Sequence, residues 1–257
     1  MELEKNEIAD LSGYLYRMQK SMIDKMFFID KIFEPVETIV DFGCANGELI
    51  KMLQYYFSEY SYIGYDISDE MIAAAKKNVP NAAFFTDWND IHVPFDKSLL
   101  NISSVIHEVY SYCSPAEIEE FWHRVFDSGF RYITIRDMML SEAANKPADA
   151  ADLQKIRSKQ AYADKLRDYE QIWGPIVTEK DMVHYLLKYS YTQNWAREVR
   201  ENYLGLSTER LFRLIPQNYR IVYREHYTLP FIAWQVARDF DIALQTPTHL
   251  KIILEHR

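Results

Sequence analysis

The segment Thr38-Ile-Val-Asp-Phe-Gly-Cys-Ala-Asn-Gly-Glu-Leu-Ile50 constrains the fold of this chain more than any other. A β-branched apolar run, Thr38 to Val40, stops at an acid, Asp41. It gives way to Gly43, Ala45 and Gly47 just ahead of an apolar-periodic stretch. The pattern predicts a strand, a tight turn and a helix N-terminus, an arrangement that lets backbone approach a nucleotide-like ligand. Spacing narrows the choice of ligand. A dinucleotide fingerprint reads G-x-G-x-x-G, and its third position here is Glu48, whose side chain obstructs close packing at a pyrophosphate. The phosphate loop G-x-x-x-x-G-K-[ST] is absent too, because no Lys and hydroxyl follow Gly47.

What remains, Asp41-x-Gly43-x-Ala45-x-Gly47, resembles motif I of the class I S-adenosylmethionine-dependent methyltransferases, (D/E)-x-G-x-G-x-G, with Ala45 at the middle glycine. The downstream context fits the same family. Asp66 ends a second strand-like run, Tyr62 to Asp66, 19 residues beyond Gly47. An acid at the carboxyl end of that strand can accept both ribose hydroxyls of an adenosine. Ser68 reads as a helix cap, with Asp69 and Glu70 in the first turn and Met71, Ile72 and Ala75 on one face. A third run, Ala82 to Trp88, places Asp87 and Trp88 at a strand end. In the family such an acid meets the adenine amino group; Trp88 either stacks beside adenine or fills the sheet edge. The fourth run, Leu99 to Ile106, leads into His107-Glu108-Val109 and resembles motif IV.

The resemblance implies an α/β fold: a doubly wound, mostly parallel seven-stranded sheet with helices on both faces, an N-terminal helix and a helical lid insertion. It implies S-adenosylmethionine as cofactor, leaving as S-adenosylhomocysteine. Gly43, Ala45 and Gly47 would form the loop, with Asp41 before it. Asp66 would hold the ribose, Asp87 and Trp88 would frame adenine, Ser103 to Ile106 would line the floor, and Ile67 and Met71 would also bind the cofactor.

Periodicity supports that organisation. Apolar residues at Leu15, Met18, Met22, Met26, Ile29 and Phe33 predict an amphipathic helix within residues 8–34. Strands are expected at 39–43, 61–66, 82–87, 98–105 and 131–137, alternating with helices at 47–57, 69–78 and 115–127, which implies a parallel sheet covered on both faces. Ser114, Pro115 and Glu117 mark the start of the last helix. After Asp137 the pattern changes: 141–150 reads as a mobile connection, followed by helical segments at 151–172, 179–190, 193–203 and 208–214. A strand at 220–227, a helix at 231–240 and a strand at 250–254 close the chain, the two strands suiting an antiparallel pair. The expected units are a cap at 1–37, a cofactor-binding core at 38–140, a helical insertion at 141–217 and final strands at 218–257.

Bulk properties exclude several classes. No run of 18 apolar residues exists, so no membrane-spanning helix is expected. The opening MELEKNEIAD is neither a secretory signal nor a transit peptide. Two cysteines, Cys44 and Cys113, give no disulfide framework or zinc spacing, and a cytoplasmic location is expected. A net charge of −9 argues against broad capture of nucleic acid. Residues 141–225 nevertheless carry 14 Lys+Arg against 12 Asp+Glu, a net of +2, leaving −11 for the rest.

Methyl transfer from a sulfonium chiefly needs alignment, exclusion of water and, for some acceptors, removal of a proton. His107, just beyond the fourth strand, is the candidate base, or else a residue that orients the substrate. Glu108 could anchor the insertion. A metal site from His107, Glu108 and His123 lacks paired-ligand spacing and is not expected. Family resemblance places Tyr14, Tyr16 and Arg17 over the cofactor, Tyr16 being the binding candidate, with ordinary packing as the alternative. Aromatic residues of the insertion (Tyr162, Tyr169, Trp173, Tyr185, Tyr189, Tyr191, Trp195, Tyr203) are expected mainly in its core. Arg197, Arg200, Arg210 and Arg213 could hold a carboxylate or phosphate. The acceptor is expected to be a small molecule. An RNA or other macromolecule, or a non-catalytic cofactor-binding module, are the alternatives.

Overall fold

The computed structural model describes residues 21–257. Seven strands form one sheet in the order β3-β2-β1-β4-β5-β7-β6. They are β1 (Thr38–Phe42), β2 (Ser61–Tyr65), β3 (Ala83–Phe85), β4 (Ser98–Ser103), β5 (Tyr132–Met138), β6 (Tyr219–Tyr227) and β7 (His249–His256). Every pairing from β3 through β5 is parallel; β7 runs antiparallel to both β5 and β6. The two late strands are thus the antiparallel neighbours expected to complete the sheet. The helix expected between them spans Pro230–Phe240.

Central strands covered on both faces should read as nearly continuous apolar runs, and β1 and β4 are buried at every position. One face of the sheet (Val40, Leu100, Ile102, Ile133, Ile135) packs under Phe121, Trp122, Val125 and Phe126 of helix α5 (Pro115–Asp127). The other face (Ile39, Leu99, Tyr132, Ile253) packs under Leu49, Ile50 and Leu53 of α2 (Glu48–Tyr56) and Ile72 and Ala75 of α3 (Asp69–Asn78). Caps fix the helix starts. Ser68 Oγ accepts the Met71 amide at 3.3 Å, and Ser114 with Glu117 closes a full capping box ahead of Pro115.

The N-terminal expectation changes in the described part. Helix α1 spans only Met22–Lys25 and the chain then turns. The break lets Phe27 and Phe28 bury side by side, which a continuing helix would point about 100° apart. Phe33 is left 77% exposed rather than on an apolar face. Leu15, Met18, Tyr14, Tyr16 and Arg17 lie outside the described residues.

The segment expected to be a loose connection is pinned. The Ser141 hydroxyl and the Glu142 amide donate to Glu209 at 2.5 and 2.8 Å, Ala144 is buried, and Ala148 N donates to Val177 O at 2.9 Å. Beyond it lie α6 (Ala150–Ser158), α7 (Ala163–Trp173), α8 (Glu179–Leu186), α9 (Trp195–Glu198) and α10 (Thr208–Leu214). Tyr169, Tyr185 and Tyr189 form their core together with Val236 and Phe240 of α11 (Pro230–Phe240), the helix between β6 and β7. That packing ties the helical region to the sheet's closing strands.

Candidate active site

Parallel strands deliver their carboxyl ends to one edge of the sheet, where ligands of open α/β folds bind. Here the loops after β1, β2, β4 and β5 gather at that edge, and antiparallel β7 brings its first residue, His249, to the same place opposite Met138. A cavity of about 970 Å³ opens there. Gly43, Ala45, Asp66, Ile67, Met71, Ser103 and His107 all line it, so the structure brings these sequence candidates together. Leu186, Leu187, Tyr191, Arg197 and Tyr203 of the helical region form its opposite wall.

The β1 loop alternates left-handed residues: Gly43, Ala45 and Gly47 have φ of +75°, +46° and +77°. Gly43 N and Cys44 N both donate to Tyr65 O, at 2.7 and 2.9 Å, which closes the turn against β2. At Gly43 the missing side chain makes room for protein as well as ligand: a Cβ there would stand 2.5 Å from Val105 Cγ2. Asp66 fastens the loop from the other strand. Its Oδ2 accepts Ala45 N and its Oδ1 accepts Ser68 N, each at 3.0 Å. Each carboxylate oxygen thus holds one backbone amide, one from the β1 loop and one from the start of α3.

Four other candidates do not line the cavity. Asp41 is buried within β1 and accepts Asn101 Nδ2 at 2.7 Å; burial pushes its carboxyl up to about 6, against that hydrogen bond and nearby Lys25. Gly47 sits at the start of α2 and shapes the loop from behind. Asp87 is exposed and spends its carboxylate on Asn89 N at 2.9 Å, capping a short 3-10 turn. Trp88 packs between Phe42, Tyr65 and Phe130, with ring centroids 5.3, 5.4 and 6.3 Å away. The floor is Ser103, Ser104 and Val105; Ile106 turns into the apolar core instead. Cys44 is buried, which raises its thiol well above the ordinary range and suits a packing role.

His107 begins a helix, α4 (Ile106–Tyr112), that periodicity did not reveal. Its Nδ1 lies 2.8 Å from Asp137 Oδ1. Asp137 is anchored in turn by the Ile106 amide at 2.7 Å and the Met138 amide at 2.8 Å. Burial alone would push the imidazole down. The Asp137 carboxylate, with Glu201 and Glu108 behind it, outweighs burial and raises it to about 9. Asp137 was legible only as an acid closing an apolar strand. Glu108, on the same helix, meets Arg197 Nη2 at 3.1 Å, and Arg197 Nε donates to Glu201 Oε1 at 2.7 Å. Arg197 is therefore an internal tie. Arg213 pairs with Glu142 at 2.9 Å, away from the cavity.

His123 pairs with Asp127 on an exposed face of α5, at 3.1 Å. Among the described residues no three His, Cys, Asp or Glu side chains gather as metal ligands, and no helix is long and apolar enough to cross a membrane.

Residues 39–129 match the family described as Methyltransferase domain. The plantazolicin methyltransferase BamL, solved with a triazolic desmethylPZN analog and SAH, superposes on 95% of this chain and 89% of its own, with a TM-score of 0.55 and 14% identity. Residues 39–129 are thus similar to a methyltransferase domain, and the chain shares the fold of that methyltransferase. The plantazolicin methyltransferase BpumL, in complex with SAH, shares the methyltransferase fold at a TM-score of 0.53 and 13% identity, covering 95% of this chain and 88% of that one. Trans-aconitate 2-methyltransferase of Acidovorax sp. (strain JS42) is 39% identical over 54 residues, 20% of this chain. The match spans about a fifth of that relative's length (21%).

Proposed function

We propose that this protein is an S-adenosylmethionine-dependent methyltransferase acting on a small molecule within the cavity. The observation that carries the reading is Asp66. It stands at the end of β2, is tied by hydrogen bonds to both the β1 loop and the start of α3, and borders a cavity of about 970 Å³. Its two oxygens suit a ribose diol, and the left-handed loop beside it suits close backbone approach to an adenosine. Ser103 Oγ, buried on the floor without a hydrogen-bond partner, is a further group that a bound ligand would satisfy. When bound, the cofactor supplies a methyl group already activated by its positive sulfur. The residues of this chain hold and orient the two reactants, exclude water and manage one proton.

His107 is the proton-handling candidate. Asp137 holds Nδ1 and so leaves Nε2 as the atom able to face an acceptor, the arrangement in which a carboxylate fixes a histidine's tautomer. With His107 raised to about 9, the free protein holds an imidazolium at neutral pH. A cation placed in the cavity would lower that value, so base strength would be coupled to cofactor binding. Volume favours a small acceptor, since the space matches pockets that take one or two small ligands.

Calorimetric titration with S-adenosylhomocysteine tests the reading. Wild type should bind it, and Asp66→Ala should lose at least tenfold in affinity, about 1.4 kcal/mol. Asp66→Asn keeps an acceptor for the loop and should fall between them. Equal binding in all three would remove the ribose assignment.

A further inference from the structure

Two buried cations stand at the β5 side of the cavity without enough acceptors in the fold. Lys25 is 6% exposed and Arg136 4%, and both line the cavity. Arg136 is clamped: Nε donates to Asp24 Oδ2 at 2.8 Å and to the Tyr227 hydroxyl at 3.2 Å, and Nη1 donates to Ser104 Oγ at 2.8 Å. Its Nη2 is buried and meets no acceptor. Among the described residues the Lys25 ammonium has no hydrogen-bond or ion-pair partner.

The surrounding carboxylates are committed elsewhere. Asp41, Asp137 and Glu108 bring negative charge toward Lys25. Yet Asp41 accepts Asn101, Asp137 holds His107 and Glu108 meets Arg197. Asp24 is shared by Arg136, Tyr227 and Lys251, the last at 2.6 Å. A guanidinium N–H buried without an acceptor is costly, and such groups nearly always have a partner; the Lys25 ammonium adds a second positive charge beside the same cavity. An anion in the cavity would meet both.

We propose that Lys25 and Arg136 form a receptor for a carboxylate carried by the methyl acceptor, so that the substrate is an organic acid. This deepens the functional reading above and rests on it. Position favours acceptor over cofactor. Asp66 follows β2, whereas Arg136 lies on β5, three strand spacings away, about 14 Å across the sheet. Arg136 and His107 also line the same cavity, so an acid held at Arg136 shares it with the His107 ring. The receptor offers one ammonium and one guanidinium N–H, which matches the two oxygens of a carboxylate.

The test uses the full chain saturated with S-adenosylhomocysteine and titrates benzoate, benzamide and phenyl phosphate, in wild type and in Lys25→Met. Wild type should bind benzoate at least tenfold more tightly than benzamide and no less tightly than phenyl phosphate. Lys25→Met should lose that preference while its S-adenosylhomocysteine affinity stays within threefold. Lys25→Gln serves the same purpose should the methionine variant not fold. Benzoate and benzamide binding alike in wild type, or neither binding, overturns the proposal, and tighter phenyl phosphate overturns the carboxylate.

A tenfold loss of S-adenosylhomocysteine in Lys25→Met, with 5′-methylthioadenosine (which lacks the carboxylate) unaffected, assigns the receptor to the cofactor and overturns the acceptor assignment. Failure of wild type to bind S-adenosylhomocysteine is a different result. It overturns the methyltransferase reading itself.

Discussion

His107 Nδ1 and Asp137 Oδ1 lie 2.8 Å apart, joining the first turn of α4 to the end of β5 across 30 residues of sequence. The pair is buried, with side chains 9% and 1% exposed, and two backbone amides at 2.7 and 2.8 Å hold the carboxylate in place. A histidine so fixed cannot turn its ring without breaking a charge-assisted hydrogen bond. The orientation of the His107 ring is thus set by the sheet.

The pair makes stability depend on pH. An unfolded histidine titrates near 6.5, and the native value is raised to about 9. The native state therefore holds the proton longer, and this contribution is complete below about 6.5 and fades as pH rises toward 9. Burial pushes Lys188 down to about 7 and Lys25 down to about 8, and these act in the opposite sense above those values. The comparison must therefore be with Asp137→Asn rather than with a flat line. Between pH 6.5 and 9, the stability advantage of wild type over Asp137→Asn should shrink, at no more than about 1.4 kcal/mol per pH unit. Urea unfolding at several pH values measures this. A constant difference between the two proteins would mean that His107 is not raised.

Gly43 and Val105 should be coupled. A Cβ at position 43 would meet Val105 Cγ2 at 2.5 Å, and the residue's φ of +75° adds strain for any side chain. Gly43→Ala should lower stability by about 2 kcal/mol or more. Adding Val105→Ala should recover part of that loss, because it removes the clash and leaves the backbone cost. Strictly additive losses in the double variant would show that the clash is absent.

Ala45 occupies the place where the family motif has glycine, with φ of +46°. Relief of left-handed strain, roughly 1–2 kcal/mol, opposes the extra chain entropy of glycine and the loss of a buried methyl, each somewhat under 1 kcal/mol. Ala45→Gly should accordingly stay within about 1 kcal/mol of wild type in thermal unfolding. Ala45→Val, β-branched at a positive φ, should fall by more than about 2 kcal/mol. A well-folded valine variant would count against the loop geometry.

The sheet and its loop were legible because they rest on local patterns. Uninterrupted apolar runs mark β1 and β4, and Gly43, Ala45 and Gly47 mark a turn that only small residues tolerate. Ser68 and Ser114 announced their helices through cap chemistry that acts over three residues. What stayed hidden depends on distant partners. Helix α4 is seven residues long and half exposed, so it carries little periodicity. Asp137 is indistinguishable from any strand-ending acid until β5 aligns beside β4 and brings it to His107. Trp88 and Asp87 satisfied a family pattern, yet local turn chemistry and an aromatic cluster claimed them. Lys25 was hidden for a related reason: a lysine in an expected amphipathic helix gives no sign that the fold will bury it.

Arg197 joins the helical region to α4, and its removal should loosen that wall of the cavity. Its Nε donates to Glu201 Oε1 at 2.7 Å and its Nη2 to Glu108 Oε1 at 3.1 Å, with the Arg197 and Glu201 side chains 6% and 3% exposed. Tyr112 of α4 reaches the same Glu201 oxygen at 2.8 Å. Breaking a buried pair by deleting one partner leaves the other charge uncompensated, which typically costs about 3–5 kcal/mol. Arg197→Met should therefore destabilise by that order. Replacing both groups, as Arg197→Met with Glu201→Gln, should cost less than the single change, because the more deeply buried of its two carboxylate partners is then neutral. Hydrogen exchange separates local from global effects. Faster exchange in residues 195–204 and 106–112, with β1 and β4 unchanged, is the expected result. A uniform rise across the sheet would instead make Arg197 a determinant of the whole fold.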